Sequence, residues 1–198
     1  MAAGARTAGE ACLAAGVKRM LFVSSTAALY CGGRAPLPGS SGVDPRPGKR
    51  PEYARGKIAA ERALEELRKQ RGLPLVVLRP AIVVGSGGLA EHTGVGLWVR
   101  ENHCAGWGMG RTPLPFVLVE DVARAIAAAL QAAGIEGRAY NLAGGVRLSA
   151  RAYIAALAAA TGRAYRFHPT PLWVTWALEG AKALVKTLAG RKGGAMTR

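Results

Sequence analysis

Acidic residues are scarce in this chain: 12 Asp and Glu stand against 27 Lys and Arg in 198 residues, a formal charge of +15. Such an excess invites a nucleic-acid or anionic-membrane partner. The basic residues are scattered, however, with no run of five and no interleaving with aromatics, which make up only 6% of the chain. That excludes the pattern of a base-stacking nucleic-acid binder, and no nucleic-acid partner is expected. A solvated basic surface or a phosphate-bearing ligand accounts for the charge instead. Cysteine is nearly as rare. Cys12, Cys31 and Cys104 are odd in number and lack metal-ligand spacing, which excludes a disulfide framework and points to free thiols in a reducing compartment. His92, His103 and His168 are too few and too dispersed for a convincing metal centre, and no metal is expected even where His92 and His103 approach Cys104 in sequence. No stretch reaches the roughly 18 apolar residues of a membrane span, and the N-terminus lacks the apolar core of a signal peptide. The expectation is a soluble, cytoplasmic protein.

Half of the residues are hydrophobic, enough for a core in one domain with at most a small appendage. Residues 2–15 read as an Ala-rich helix closed by Gly16. Arg19–Ser25 is a short apolar run ending in small polar residues, as suits a strand buried on both faces of a parallel sheet. Residues 31–50 carry Pro/Gly punctuation and read as a surface loop. Pro51–Arg71 reads as a helix stopped by Gly72 and Pro74. Leu73–Pro80 is a second buried strand, Leu118–Ala133 a helix with Glu120 and Asp121 at its start, and Ala139–Leu142 a third strand. Ser149 caps a helix running to Thr161 and Gly162. A final helix spans Leu172–Ala189, while residues 89–118 fit no single pattern. Strands alternating with helices imply a parallel α/β sheet. Ligands bind such sheets beyond the carboxyl ends of the strands, where Ser24–Thr26, Arg79–Val83 and the Asn141–Gly144 turn all fall.

One pair inside the 51–71 helix has chemical content. Tyr53 and Lys57 are four residues apart and share a face, in line with Ala60, Leu64 and Leu67. Glu61, Arg62, Glu65, Arg68 and Lys69 read as ordinary solvated charges. A free phenol titrates near ~10 and is a poor acid–base catalyst at neutral pH. An ammonium one turn away stabilises the phenolate and makes it a better one. The spacing alone is weak evidence, since it occurs by chance in many helices.

Four segments in order strengthen it: Leu21-Phe-Val-Ser-Ser-Thr26 followed by Tyr30, Tyr53-x-x-x-Lys57, Leu78-Arg-Pro80, and Phe116-Val-Leu-Val-Glu-Asp-Val-Ala123. Together they closely resemble the extended short-chain dehydrogenase/reductases, the NAD-dependent epimerase/dehydratase group, over residues 5–165. The resemblance implies an NAD(P)-dependent oxidoreductase or epimerase acting on a hydroxyl or ketone of a small molecule or nucleotide sugar. Its catalytic set falls on Thr26 (with Ser25 as the alternative), Tyr53 and Lys57. Thr26 would hydrogen-bond the substrate oxygen, Tyr53 would exchange the proton, and Lys57 would tune Tyr53 and bond the nicotinamide ribose. Ser24, Ser25, Pro80, Ala81 and Val83 would border the NAD or NADP. Pro80 is equally readable as a strand terminator, and the Ser-Ser-Thr cluster as a cap for strand-end backbone groups. Arg111 would contact substrate, or is a plain surface arginine. Asp121 reads as structural.

The departures matter as much. The resemblance implies an opening strand, a G-x-x-G-x-x-G turn and a helix that holds the pyrophosphate, and no such spacing occurs in this sequence. A fragment is therefore expected, lacking the N-terminal dinucleotide-binding half and keeping about three strands of the sheet with flanking helices. Residues 1–146 would form the partial Rossmann-type catalytic domain, with 84–118 contributing to an α-rich substrate region completed by helices in 147–198. The first retained strand would present an open edge, covered by a homodimer partner or the missing N-terminal half. Trp173 and Trp176, followed by Lys182, Lys186, Arg191 and Lys192, suggest peripheral membrane contact through 172–192.

Overall fold

The computed structural model describes residues 1–29, 37–171, 173, 174 and 177. Tyr30, Cys31 and, apart from three residues, the expected helix over 172–189 lie outside the described residues. The chain forms two compact units: residues 1–81 with 120–142, and residues 82–119 with 143 onward.

The first unit is a parallel sheet covered on both faces. Helix α1 (Ala2–Ala14) leads to β1 (Met20–Val23), α2 (Glu52–Arg71) crosses over to β2 (Leu75–Pro80), and α3 (Val119–Gln131) precedes β7 (Ala139–Leu142). The order is β1-β2-β7, all parallel, with Phe22 opposite Val77 and Leu78 opposite Tyr140. Period-two alternation along β2 explains the two layers. Leu75 and Val77 join Leu64, Leu67 and Leu73 with Cys12, Leu13 and Phe22 under α1 and α2. Val76 and Leu78 point the other way, to Ala129, Ile126 and Tyr140 under α3. Every residue of β2 is buried, as expected of a central strand. Strand β1 is only half-buried, because among the described residues it has one neighbour, β2.

Helix α2 keeps its expected limits, ending at Gly72 in the left-handed conformation. Its charges do not all behave as expected. Glu61 is not a solvated charge: it is 5% exposed and lies against Arg79, itself 4% exposed. Three contacts of 2.7–3.2 Å join the guanidinium to the carboxylate, and Arg79 Nη1 also donates to the carbonyls of Gly39 (3.2 Å) and Ser41 (2.8 Å). The reason is position. Glu61 falls within the stripe Ala54, Ile58, Ala60, Leu64 and Leu67 that faces the sheet, so its charge needs a partner there. The edge of β7 is closed by residues 37–39: Asn141 Nδ2 donates to the carbonyls of Leu37 and Pro38.

The second unit holds more strand than the expected α-rich region. Strands β3 (Ile82–Val84) and β6 (Phe116–Leu118) pair in parallel. A second sheet has the order β4-β5-β8, with β4 (Gly96–Arg100) and β5 (His103–Gly106) as an antiparallel hairpin and β8 (Arg166–His168) parallel to β5. Helix α4 (Ala150–Thr161) begins as expected, with Ser149 Oγ accepting from the amide of Ala152. The core here is Val95, Cys104, Phe116, Ala150 and Ile154, with Trp98, Tyr153 and Phe167 packed on it.

The β4–β5 turn holds Asn102 at φ 61°, and its carbonyl accepts from the amide of Arg166 in β8. Asparagine tolerates this region, whereas a branched side chain is strained by roughly 1–2 kcal/mol. Asn102→Val should therefore lower the stability measured by urea denaturation by that much, and Asn102→Gly should leave it nearly unchanged.

Candidate active site

The carboxyl end of β1 turns sharply. Ser24 donates its amide to the carbonyl of Leu78 (2.7 Å) and buries its side chain, whose Oγ has no partner among the described residues. Ser25 Oγ caps the 3-10 turn Thr26–Ala28 by accepting from the amide of Ala27 (3.2 Å). That turn packs against α2. Lys57 Nζ donates to the carbonyl of Val23, the last residue of β1, at 2.9 Å. Its ammonium also lies 5.3 Å from the Phe22 ring centre and 6.0 Å from that of Tyr53. Because α2 runs back along the sheet from this point, Tyr53, one turn earlier, stands past the end of the strand and is 54% exposed. Tyr53 and Lys57 thus continue the line of the buried stripe beyond the edge of the sheet. The exposed phenol is reachable from solution, and the ammonium beside it is fixed by a strand carbonyl.

Two residues that the sequence did not single out build the support. Asp44 is 3% exposed; its amide donates to the carbonyl of Ala28, and its carboxylate accepts from the amide of Arg46 (2.8 Å) and lies 3.6 Å from the guanidinium of Arg50. Arg50 Nη2 donates to the carbonyls of Ala27 (3.0 Å) and Leu29 (3.4 Å), within and just after the turn that Thr26 opens. Arg50 is three residues before Tyr53, so one side chain ties the Ser25–Thr26 turn to the start of α2. The only hint in the sequence was an acid and a base within a polar loop.

Pro80 ends β2 in the same sheet, and Ala81 follows it, its amide donating to the carbonyl of Leu142. Val83 lies in β3, and Arg111 is exposed after Gly110; both belong to the second unit. Asp121 pairs with Arg124 in the first turns of α3. In the second unit burial pushes the Cys104 thiol up to about 11, and burial also holds His92 below the ordinary histidine range. Among the described residues no three of His, Cys, Asp and Glu gather as a metal ion would need, and no helix is long and apolar enough to cross a membrane. A cavity of about 730 Å³ lies elsewhere in the first unit, between α2, β7 and residues 39–43, over the Glu61–Arg79 pair; Thr26, Tyr53 and Lys57 do not line it.

A covered parallel sheet with small hydroxyl residues and a Tyr/Lys helix turn at one carboxyl end defines a Rossmann-type protein. The chain belongs to the NAD dependent epimerase/dehydratase family, whose model matches residues 2–143. Its fold is similar to that of UDP-glucuronic acid 4-epimerase from Bacillus cereus in complex with NAD (TM-score 0.69, 20% identity, 83% of this chain and 54% of that one). It is also similar to the UDP-glucose 4-epimerase of Thermus thermophilus in complex with NAD (TM-score 0.64, 26% identity, 85% and 56%). A third similar structure is UDP-N-acetylglucosamine 4-epimerase from Methanobrevibacter ruminantium in complex with UDP-N-acetylmuramic acid (TM-score 0.65, 19% identity, 83% and 54%). The chain thus spans little more than half the length of these structures. No curated protein matches it.

Proposed function

We propose that this chain carries the acid–base half of an NAD(P)-dependent, epimerase-type oxidoreductase acting on a hydroxyl or ketone of a small molecule or nucleotide sugar. The observation that carries this reading is the Lys57–Val23 hydrogen bond, which seats Tyr53 beyond the end of β1 beside the Ser25–Thr26 turn. Thr26 orients the substrate oxygen through its hydroxyl, Tyr53 holds or returns the proton at that oxygen, and Lys57 bonds the ribose while keeping positive charge beside the phenol. The nicotinamide, when bound, supplies the hydride acceptor and donor. Ser24, whose buried Oγ has no partner among the described residues, suits a polar group of the cofactor, and Ser25, Pro80, Ala81 and Val83 would border it. Arg111 would meet the substrate. A cytoplasmic setting fits this chemistry.

The residues present fit the nicotinamide end; for the pyrophosphate the sequence holds no G-x-x-G-x-x-G turn. The half-buried β1, with one neighbour among the described residues, favours a second reading beside the first: a piece that works only when another segment or subunit covers that edge, or a remnant that no longer turns over. Calorimetric titration with NAD⁺ and NADP⁺ tests both. For the 198-residue chain alone, dissociation constants of roughly 1 mM or weaker are expected, and micromolar binding would sink that expectation. Saturation-transfer NMR at high NAD⁺ should then mark the nicotinamide and its ribose more strongly than the adenine, and Lys57→Met should erase the difference. Equal marking of both ends, or indifference to Lys57→Met, refutes the assigned cofactor contacts.

A further inference from the structure

The β4–β5–β8 sheet gathers four basic side chains on one face. Arg100 stands opposite His103 across the hairpin, His103 stands beside Arg166, and His168 follows two residues on. Register places Arg100 and Arg166 on the face of His103, the bulge between Trp98 and Arg100 having broken the alternation of β4, and alternation along β8 adds His168; Trp98, Cys104 and Phe167 enter the core on the other face. The imidazoles meet: His103 Nδ1 is 2.8 Å from His168 Nε2, and the rings are stacked within 8° at 5.0 Å. Arg100 and Arg166 are exposed and have no side-chain partner among the described residues. Loss of hydration, then the positive charges of Arg100, His168 and Arg166, hold His103 below the ordinary histidine range.

No carboxylate answers this charge from the described elements around it. Glu101 sits in the hairpin turn but is exposed and forms no ion pair, and Glu91 acts on Cys104, on the core side of the sheet. A neutral imidazole has one N–H and one lone pair, so the His103–His168 contact holds while one ring is neutral and loses its acceptor once both are protonated. Two guanidiniums in addition offer planar forks suited to phosphate oxygens.

We infer that this face is a proton-linked binding site for a phosphate group, with Arg100 and Arg166 as its fixed cations and the His103–His168 pair taking up a proton as the anion binds. The site lies wholly within the second unit and stands whether or not the reading of Thr26, Tyr53 and Lys57 holds. Proton uptake ties affinity to pH, by up to about tenfold per pH unit for each proton gained.

The test uses the full chain with two phosphate sources: inorganic pyrophosphate, and phosphatidylcholine vesicles with or without phosphatidic acid. Histidine ring signals of His103 and His168 should move together and saturate with pyrophosphate, with an affinity at about pH 6 at least roughly fivefold above that at about pH 8. Arg100→Gln with Arg166→Gln should weaken binding by at least about tenfold, and His103→Gln should leave binding but flatten its pH dependence. Vesicle binding that needs phosphatidic acid and both arginines, without saturation by pyrophosphate, assigns the phosphate to a lipid headgroup. Saturation with neither source, equal affinity in the arginine variant, or pH-independent affinity in the unaltered chain overturns the proposal. Unchanged amide spectra away from the sheet verify that each variant is folded.

Discussion

Arg79→Met should cost about 3–5 kcal/mol of stability, measured by chemical denaturation, one of the largest effects of any single substitution in the first unit. Methionine keeps much of the arginine's apolar volume, so little of the loss comes from packing. The loss comes from Glu61, left as a buried carboxylate without its three guanidinium contacts. Breaking one side of such a pair is far more damaging than removing both, because the surviving charge has lost its water and gained nothing. Glu61→Leu alone should therefore also be severe, while Glu61→Leu with Arg79→Met should recover most of the loss. Recovery should stop short of complete, since the carbonyls of Gly39 and Ser41 also lose their donor. Hydrogen exchange gives a second readout: amides of residues 39–43 should exchange faster in both Arg79 variants and not in Glu61→Gln, which leaves Arg79 Nη1 in place. Additive single costs in the double variant would mean that the two residues act independently, contrary to their geometry.

That pair also marks where sequence reading stops. The sheet of the first unit was legible because each of its elements declares itself locally. Apolar runs at 19–25, 73–80 and 139–142 are separated by helices whose periodicity and Gly stops are plain, and strands joined through helices must run parallel. The spacing of Tyr53 and Lys57 was legible for the same reason. Glu61 was not: a glutamate at a helix position looks the same whether it faces water or a partner, and Arg79, which decides the matter, is 18 residues away on another element. The Asp44–Arg50 support of the Thr26 turn was hidden likewise, in a loop with no period to read. The second unit was the least legible. Strand β8 has three residues and joins β5, some sixty positions earlier, and no local pattern announces so short a strand paired at such a distance. Residues 89–118, which fit no single pattern, do carry glycine at 94, 96, 106, 108 and 110, and a glycine alone does not say whether it leaves room for a neighbouring side chain.

The use of that room leads to the second large effect. The Phe167 ring is set between Gly106 and Gly110: a Cβ added at either glycine would collide with it. Arg151 closes the slot, its guanidinium carbon 5.3 Å from the ring centre and its Nε donating to the carbonyl of Met109 at 2.8 Å. Phe167 thereby fixes the course of residues 106–110 and, through them, the position of Arg111. Gly110 is also in the left-handed region at φ 67°, so Gly110→Ala meets two penalties. Backbone strain costs about 1 kcal/mol, and the collision with a packed ring adds about 1–3 kcal/mol. Gly162 separates the two, for it has φ 69° with nothing near its missing Cβ. Gly162→Ala should show the backbone cost alone, and the difference between the two variants should equal the steric cost. Gly110→Ala with Phe167→Leu should recover part of that difference, because the smaller side chain opens the slot. Amide exchange in β5 and β8 follows the loss locally: both strands should open more often in Gly110→Ala than in Gly162→Ala. Equal costs for the two alanine variants would mean that the ring yields freely, and that Phe167 does not fix the segment leading to Arg111.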